Sequence, residues 1–353
     1  MEKETLVIEA IELLKKLIAL ESYSKQEDKT AEAIHAYFVS KGIQPNRKIN
    51  NVWAYNKYYH PDRPCILLNS HHDTVKPNVG WTIDPFQPLL EDGKLFGLGS
   101  NDAGASLVSL IAVFLYFYDK KDLKYNLCIA ATAEEEISGL NGLELILPEL
   151  KNMEFALVGE PTQMHLAIAE KGLMVLDCIA IGKSGHAARE EGDNAIYKAI
   201  KDIQWLNTFQ FPKTSEFLGP VKMSVTIINA GAQHNVVPDR CEFTVDVRVT
   251  DVYKNEEVLE IIKNHVQSEV YPRSLRLTSS SISKEHPMVK TGITLGRKIY
   301  GSPTSSDQAL INFPSLKIGP GDSARSHTAN EFIYSKEIEE GIDLYIKLLS
   351  GML

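Results

Sequence analysis

Several features that define other protein classes are scarce in this sequence. It has only four cysteines, which stand singly and form no CxxC pair: Cys65, Cys128, Cys178 and Cys241. Isolated cysteines among apolar neighbours favour buried, reduced thiols over a thiolate metal site. Lys and Arg number 37 against 46 Asp and Glu, which gives a net charge of −9. The sequence therefore lacks the basic stripe that a nucleic-acid surface needs.

Long hydrophobic segments are also missing. The longest apolar run, 105–117, is interrupted by Ser106 and Ser109. It is shorter than the ~20 residues that a membrane helix needs. The first residues, 1–5, lack the basic start and apolar core of a signal peptide. We therefore expect a cytoplasmic protein that binds neither a membrane nor a nucleic acid.

Apolar periodicity predicts alternating helices and strands in the first part of the chain. Helices are predicted from the spacing of Val7, Ile11, Leu14 and Ile18, and at 30–39, 105–118 and 140–147. Short apolar strands are predicted at 52–55, 65–69, 125–131 and 155–158. This order is typical of an α/β fold whose mostly parallel sheet is covered on both faces. In such sheets, functional side chains gather at the carboxyl ends of the strands.

The pattern changes near residue 166. Strands are predicted at 173–181, 221–228 and 241–249, with helices at 195–208 and 256–267. A β-α-β-β-α-β order of this length indicates a ferredoxin-like α+β unit. The α/β pattern returns after residue 277, with a strand at 316–318. We therefore predict a discontinuous catalytic, metal-binding domain, 1–165 and 278–353, and an inserted domain, 166–277.

Five short acidic or histidine motifs occupy similar positions, each after an apolar run or a tight turn. They are Ser70-His71-His72-Asp73, Asn101-Asp102, Glu134-Glu135-Glu136, Gly159-Glu160-Pro161 and Ser326-His327. Such side chains from distant segments can meet at one edge of a parallel sheet. Two imidazoles and three carboxylates, with one carboxylate shared, suit two divalent ions, and Zn²⁺ fits this mixture of N and O ligands. The sequence therefore predicts a two-metal hydrolase.

Each motif also has a plainer explanation when it is taken alone. His71-His72-Asp73 could form a surface turn, and the three glutamates could simply begin a helix. Glu160 and His327 could be ordinary loop residues. The segment 97–102 approaches a dinucleotide fingerprint, but Asp102 stands where the third glycine should be. That departure disfavours a nicotinamide oxidoreductase, and the recurrence of all five motifs favours a metal site.

The ordered motifs resemble those of the dizinc metallopeptidases of the acetylornithine deacetylase, succinyl-diaminopimelate desuccinylase and carboxypeptidase G2 type. The resemblance covers essentially the whole chain and rests on His71-x-Asp73, Asp102, Glu135-Glu136, Glu160-Pro161-Thr162 and His327. The chain departs from the family at two points. Ala103-Gly104 stands where many members have Met-Lys or a similar pair, and Glu134 replaces the Asp of an Asp-Glu-Glu triplet. Neither change removes a ligand.

The resemblance implies two bound divalent ions, with Zn²⁺ favoured and Co²⁺ as a substitute in vitro. It implies that one ion is held by His71 and Glu160, the other by Glu136 and His327, and that Asp102 bridges them. Glu135 is similar to the general base of the family. Asp73 is similar to the carboxylate that orients the first histidine.

The resemblance also implies roles for the inserted domain, which is similar to the lid or dimerisation domain of the family. We therefore expect a homodimer formed through it. Gly185-His186-Ala187 is similar to the segment whose histidine binds the scissile carbonyl, from the same or the neighbouring subunit. Asn235 and Arg248 are similar to residues that contact substrate. Alternatively, His186 caps a helix, Asn235 holds a turn and Arg248 pairs with a nearby Glu.

The implied activity is the metal-dependent hydrolysis of a linear amide in a small N-acyl amino acid. We favour N-acetylornithine, or the N-succinyl derivative of ornithine or citrulline, as the substrate, which would place the enzyme in arginine biosynthesis. Succinyl-diaminopimelate desuccinylase and dipeptidase or carboxypeptidase activities are alternatives within the same family. A catalytically inactive metal-binding scaffold is disfavoured, because the base and all five ligands are present.

Overall fold

The structure is a computed structural model that describes residues 2–353, and these divide into two compact units. The second unit comprises Ala169–Ser281 and Gly301–Ser305, and the first comprises the other described residues. The predicted insertion, 166–277, did not include 301–305. That short segment belongs with the second unit, where the Ser305 hydroxyl donates to the Lys171 carbonyl at 3.0 Å.

The chain up to residue 170 alternates between helices and strands. The helices are α1 (Lys3–Ile18), α2 (Asp28–Ser40), α3 (Ala105–Tyr118) and α4 (Leu143–Ile146). The strands are β1 (Asn46–Lys48), β2 (Asn51–Tyr55), β3 (Cys65–His71), β4 (Leu89–Glu91), β5 (Lys94–Phe96), β6 (Asn126–Thr132), β7 (Met153–Val158) and β8 (Leu166–Glu170). The predicted helix 140–147 is regular only over α4, because a 3₁₀ turn that contains Pro148 follows it.

The remaining elements follow in chain order. The next strands are β9 (Gly172–Ile181), β10 (Gly185–His186), β11 (Lys222–Ala230), β12 (Val236–Val237), β13 (Arg240–Val249), β14 (Glu269–Pro272) and β15 (Ser280–Ser281). They enclose helices α5 (Ala195–Thr208) and α6 (Asn255–His265). The chain ends with α7 (Pro287–Thr294), β16 (Ile299–Ser302), β17 (Ser315–Lys317), β18 (Phe332–Tyr334) and α8 (Ser335–Ser350).

The first unit is built on a central sheet in the order β1-β2-β6-β3-β7-β17-β8. Strand β3 runs parallel to β6 and β7, and β17 runs parallel to β7. Every residue of β3 and β6 is buried, as expected for strands covered on both faces. Helix α3 packs against β3 and β6 and also contacts α1 and α8. The predicted α/β fold with a mostly parallel sheet is therefore confirmed.

One stretch, Ser100–Tyr118, is long and apolar enough to cross a membrane by length and composition. Of its most apolar window, 89% is buried inside the protein. The apolar character of α3 is explained by its position against the central sheet, where its side chains pack on both neighbouring helices and strands.

The second unit is built on a four-stranded sheet in the order β11-β13-β9-β14, and all its neighbouring pairs are antiparallel. Burial alternates along β13, so that Phe243, Val245 and Val247 face the core of this unit. Helices α5 and α6 contribute buried residues to the same core, among them Ala199 and Ile262. This β-α-β-β-α-β arrangement is the ferredoxin-like α+β fold that the sequence predicts.

Candidate metal centre

Three neighbouring parallel strands deliver predicted ligands to one edge of the central sheet. Strand β3 ends at His71, β6 ends just before the three glutamates 134–136, and β7 ends two residues before Glu160. These strands lie side by side in the order β6-β3-β7. The carboxyl ends of parallel strands share an edge, so the side chains that follow them converge.

Asp102 reaches the same place from a turn rather than a strand. It lies in a wide helical turn, Ser100–Gly104, directly before α3, and its backbone is non-helical at φ −117° and ψ 100°. The Asp102–Ala103 peptide bond is cis. Gly99 precedes the turn with a φ of 75°, a left-handed conformation that glycine adopts without steric cost. This glycine-containing turn presents Asp102 directly before α3.

The buried His71 imidazole lies at the centre of the cluster. Its Nε2 atom is 3.3 Å from Asp102 Oδ1, 3.8 Å from Glu160 Oε1 and 3.9 Å from Glu135 Oε2. Only 1% of the His71 side chain is exposed. Ring nitrogen and carboxylate oxygens from four separate segments therefore face one small volume.

His327 closes the other side of the cluster. Its Nε2 lies 3.0 Å from Glu136 Oε2 and 3.6 Å from Asp102 Oδ2. The two oxygens of Asp102 thus face different imidazoles, one toward His71 and the other toward His327. Ligand atoms of His71, Asp102 and Glu136 all lie within 4.8 Å of one another, which is a spacing that could hold a metal ion. His327 is 54% exposed, so the cluster opens toward solvent on this side.

Asp73 connects His71 to the glutamate turn. The Nδ1 atom of His71 lies 3.0 Å from the Asp73 backbone carbonyl and 3.4 Å from its carboxylate. The same carboxylate accepts hydrogen bonds from the backbone N–H groups of Glu135, at 3.1 Å, and Glu136, at 3.2 Å. Ser24 donates a further bond to it at 2.7 Å. Asp73 therefore holds the imidazole and both glutamates in one arrangement, as a partner of a metal-binding histidine commonly does.

Burial and charge shift the titration of these groups in opposite directions. Burial raises the pKa of Glu160 to about 8 and raises the pKa of Glu135 well above its usual range. Burial is the largest single influence on His71 and acts to lower its pKa, but the hydrogen bonds to Asp102 and Asp73 and the charges of Glu135 and Glu160 together raise that pKa. The hydrogen bond to Glu136 raises the pKa of His327 to about 9. The carboxylates are thus crowded and poorly solvated, while the imidazoles are stabilised as cations.

The predicted substrate-contacting residues all lie in the second unit. His186 is exposed on β10, where its Nδ1 atom accepts a hydrogen bond from the backbone N–H of Ala188 at 3.1 Å. The carbonyl of Asn235 accepts from the Ala187 N–H at 2.9 Å, so β10 and β12 bring His186 and Asn235 close together. Arg248 lies on β13 and pairs with Asp246 through Nε at 2.8 Å and Nη2 at 3.0 Å.

Sequence reasoning missed a buried carboxylate in the first unit. Asp307 is 4% exposed and accepts a hydrogen bond from the Thr132 hydroxyl, at the end of β6, at 2.7 Å. Burial raises the pKa of Asp307 to about 6, and its charge in turn raises the pKa of Glu135. It follows the polar segment 302–306 and has no apolar run directly before it, so no sequence pattern distinguished it from a loop residue.

Comparisons with known proteins agree with this architecture. Residues 67–351 match the model of the peptidase family M20/M25/M40. Succinyl-diaminopimelate desuccinylase of Wolbachia pipientis subsp. Culex pipiens is 27% identical in an alignment of 376 positions. The alignment covers 98% of this chain and 93% of the relative. Acetylornithine deacetylase of Proteus mirabilis is 27% identical in an alignment of 374 positions, which covers 97% of this chain and 96% of the relative. The YXEP protein of Bacillus subtilis, described as a dinuclear metal-binding peptidase of the M20 family, has a TM-score of 0.76 at 17% identity, with 98% of each chain covered.

The parallel sheet and its edge cluster define an α/β protein with a candidate metal centre. The family match covers most of the chain, so the protein belongs to the peptidase family M20/M25/M40 and is an amide hydrolase. The resemblance inferred from the motifs is confirmed, and so is the prediction of an enzyme. The roles of the individual site residues stay predictions.

Proposed function

We propose that this chain is a two-metal amidase that removes an acetyl or succinyl group from a small N-acyl amino acid. The proposal depends on one observation above all. In a chain of this peptidase family, the side chains that could bind metal and move a proton converge at one edge of the sheet: His71, Asp102, Glu135, Glu136, Glu160 and His327.

The residues of the centre fit two divalent cations. Four carboxylates face two imidazoles, and the carboxylates are buried or nearly so. Carboxylates in this setting repel one another unless cations neutralise them. His71 is held at Nδ1 by Asp73, which leaves Nε2 directed toward Asp102, as in a metal-binding histidine. We assign His71 and Glu160 to one cation, Glu136 and His327 to the other, and Asp102 to both, with Zn²⁺ as the favoured ion.

Such cations, when bound, polarise the amide carbonyl and lower the pKa of water. The chain's own contribution is proton transfer and orientation. Glu135 accepts a proton from the attacking water and donates it to the leaving amine nitrogen as the C–N bond breaks. Asp73 fixes the position of Glu135 relative to His71, because it accepts a hydrogen bond from the Glu135 N–H and contacts His71 Nδ1. The products are a free carboxylic acid and the amine of the amino acid.

We assign the substrate contacts to the second unit. The imidazole of His186 is exposed and can donate a hydrogen bond to the developing oxyanion, a role worth roughly 3–4 kcal/mol for a well-placed donor. Asn235 lies beside it and supplies a further polar contact. Asp246 occupies the Nε–Nη2 edge of the planar Arg248 guanidinium, which leaves the Nη1–Nη2 edge to bind a substrate carboxylate.

The preferred substrates are N-acetylornithine and the N-succinyl derivatives of ornithine or citrulline. Similarity to an acetylornithine deacetylase along nearly the whole chain supports this choice. Succinyl-diaminopimelate is the second candidate, because several relatives of comparable identity carry the name succinyl-diaminopimelate desuccinylase. All of these substrates present a carboxylate and one scissile amide, so they use the same centre.

A direct comparison of purified enzyme on these compounds distinguishes the candidates. Initial rates are measured with Zn²⁺ and with Co²⁺ on N-acetylornithine, N-succinylornithine, N-succinylcitrulline, succinyl-diaminopimelate and an unblocked dipeptide. The proposal predicts the highest kcat/KM for an ornithine or citrulline derivative. A higher kcat/KM for succinyl-diaminopimelate would establish the second candidate, and a preference for the dipeptide would contradict both. An absence of hydrolysis with either metal would contradict amidase activity itself.

A further inference from the structure

Glu331 is a buried carboxylate that the proposed chemistry does not use. It lies four residues after His327, and only 2% of it is exposed. Its Oε1 atom accepts hydrogen bonds from the backbone N–H groups of Asn101, at 2.8 Å, and Asp102, at 2.9 Å. Its Oε2 atom accepts from the Gly99 N–H at 3.1 Å. One side chain therefore satisfies three donors of the turn that presents Asp102.

The main chain of Glu331 and the side chain of Asn101 add further bonds to the same turn. The Glu331 carbonyl accepts from the Gly97 N–H at 3.0 Å. The Asn101 amide bonds both backbone groups of Asp322, accepting from N–H at 3.0 Å and donating to the carbonyl at 3.1 Å. It also lies 3.3 Å from the Ser326 hydroxyl, next to His327. The turn is thus fixed on two sides by the segment 322–331, which carries His327.

We propose that Glu331 is a positioning residue that sets the place of Asp102 relative to both His71 and His327. This inference rests on the proposed function, in which Asp102 is shared between two cations. A shared carboxylate must direct one oxygen to each side, and the Asp102 oxygens lie 3.3 Å from His71 and 3.6 Å from His327.

The turn cannot rely on regular helical hydrogen bonds for this purpose. The backbone at Asp102 and Ala103 is non-helical, and the α-helix begins only at Ala105. The N–H groups of the turn therefore need an external acceptor, because unpaired buried donors are costly. Glu331 is that acceptor, and both of its oxygens are needed.

Glu331→Gln tests this role with little change in volume. A glutamine has one acceptor oxygen and one NH₂ group, so it loses the bond from Gly99 or those from Asn101 and Asp102. The turn then shifts, and the shared carboxylate moves with it. Removing a residue that orients a metal ligand typically costs about 10–100-fold in metal affinity. We expect a loss of that size in Glu331→Gln.

Asp202→Asn in the second unit is a matched control. Asp202 is 4% exposed and accepts the backbone N–H groups of Gln267, at 3.1 Å, and Ser268, at 2.8 Å, together with the Ser268 hydroxyl at 2.6 Å. It is a buried carboxylate with the same kind of partners, but none of them belongs to a predicted ligand segment. The control should lower the melting temperature of the metal-free protein and leave its metal affinity unchanged.

The measurement is a calorimetric titration of Co²⁺ or Zn²⁺ into metal-free protein, with a thermal melt of each variant. Weaker binding in Glu331→Gln than in Asp202→Asn, at comparable loss of thermal stability, supports the positioning role. Equal affinity in the two variants overturns that role while the metal site of the wild type stands. A wild type that binds neither ion overturns the proposed function and this inference with it.

If Glu331→Gln does not fold, Asn101→Ala tests the other set of bonds that connects the turn to the segment 322–331. It removes the bonds to Asp322 and leaves the three bonds to Glu331 in place. We expect a smaller loss of metal affinity in the same direction. Wild-type affinity in Asn101→Ala would contradict the idea that the segment 322–331 sets the position of Asp102.

Discussion

At the scale of single residues, Glu135 and Glu136 are adjacent in sequence but face different partners. The Glu135 carboxylate is 3.9 Å from His71, whereas Glu136 contacts His327 at 3.0 Å. Their backbone N–H groups donate to different oxygens of Asp73, which fixes the main chain of the turn that carries both side chains. We therefore expect their substitutions to have different consequences.

Glu135→Gln keeps the volume of the side chain and removes the general base. We expect kcat to fall by roughly 10²–10⁴-fold while the metal content of the purified protein is unchanged. Steady-state kinetics and elemental analysis of the same preparation check this. A parallel loss of metal and rate would make Glu135 a ligand instead.

Glu136→Gln is the companion variant. Glu136 is assigned as a ligand, so its replacement should lower metal occupancy itself, and activity should recover in part when Zn²⁺ or Co²⁺ is added in excess. Metal content equal to that of the wild type would refute the assignment of Glu136.

Arg248 provides a test of substrate recognition. Loss of a charge-assisted hydrogen bond costs on the order of 1.5–3 kcal/mol, so Arg248→Ala should lose about 10–200-fold in kcat/KM. The loss should be much smaller for a substrate whose carboxylate is amidated. Arg240→Ala is the matched control, because Arg240 lies on the same strand and pairs with Glu242 at the surface. Equal losses for the free and amidated substrates would argue against a carboxylate contact.

At the scale of secondary structure, the buried strands were the most predictable elements. The short apolar runs 65–68, 127–131 and 155–158 predicted β3, β6 and β7, because strands covered on both faces are mostly apolar. The rule that functional side chains follow the carboxyl ends of parallel strands then predicts that His71 and Glu160 lie at one edge of the sheet. The positions that matter most for the candidate centre were therefore predictable from sequence.

Other elements left no comparable pattern in the sequence. The small sheet formed by β4, β5 and β18 was not predicted, because its strands have three residues each and are partly exposed. Glu331 and Asp307 were also missed, since an isolated carboxylate in a loop gives no sign of its burial. Their partners are backbone N–H groups and a hydroxyl from segments distant in sequence, which only the folded chain reveals.

The central strand should carry much of the stability of the first unit. Leu68 in β3 is fully buried, so Leu68→Ala should lower the free energy of unfolding by about 2–5 kcal/mol. Leu140 is 64% exposed, and Leu140→Ala should change the free energy of unfolding by no more than about 0.5 kcal/mol. Urea denaturation of the metal-free variants compares the two without a contribution from bound ions. Similar losses would mean that the sheet does not determine stability.

At the scale of the whole molecule, we propose a homodimer formed through the inserted domain, 166–277. His186 would then reach the reacting carbonyl from the same or the neighbouring subunit. Mixing inactive His186→Ala chains with inactive Glu135→Ala chains distinguishes these possibilities once subunits exchange. Recovered activity in the mixture indicates donation across the interface, and no recovery indicates donation within one chain. Sedimentation as a monomer at working concentration would refute the dimer.

The metal content of the protein tests the central claim most directly. Purified enzyme is analysed for bound metal, depleted by exhaustive chelation, assayed on an N-acyl amino acid, and then supplied with Zn²⁺ or Co²⁺. A shared Asp102 predicts up to two transition-metal ions per chain, loss of amidase activity on chelation and recovery on readdition. Undiminished activity in protein with no detectable metal would contradict the account.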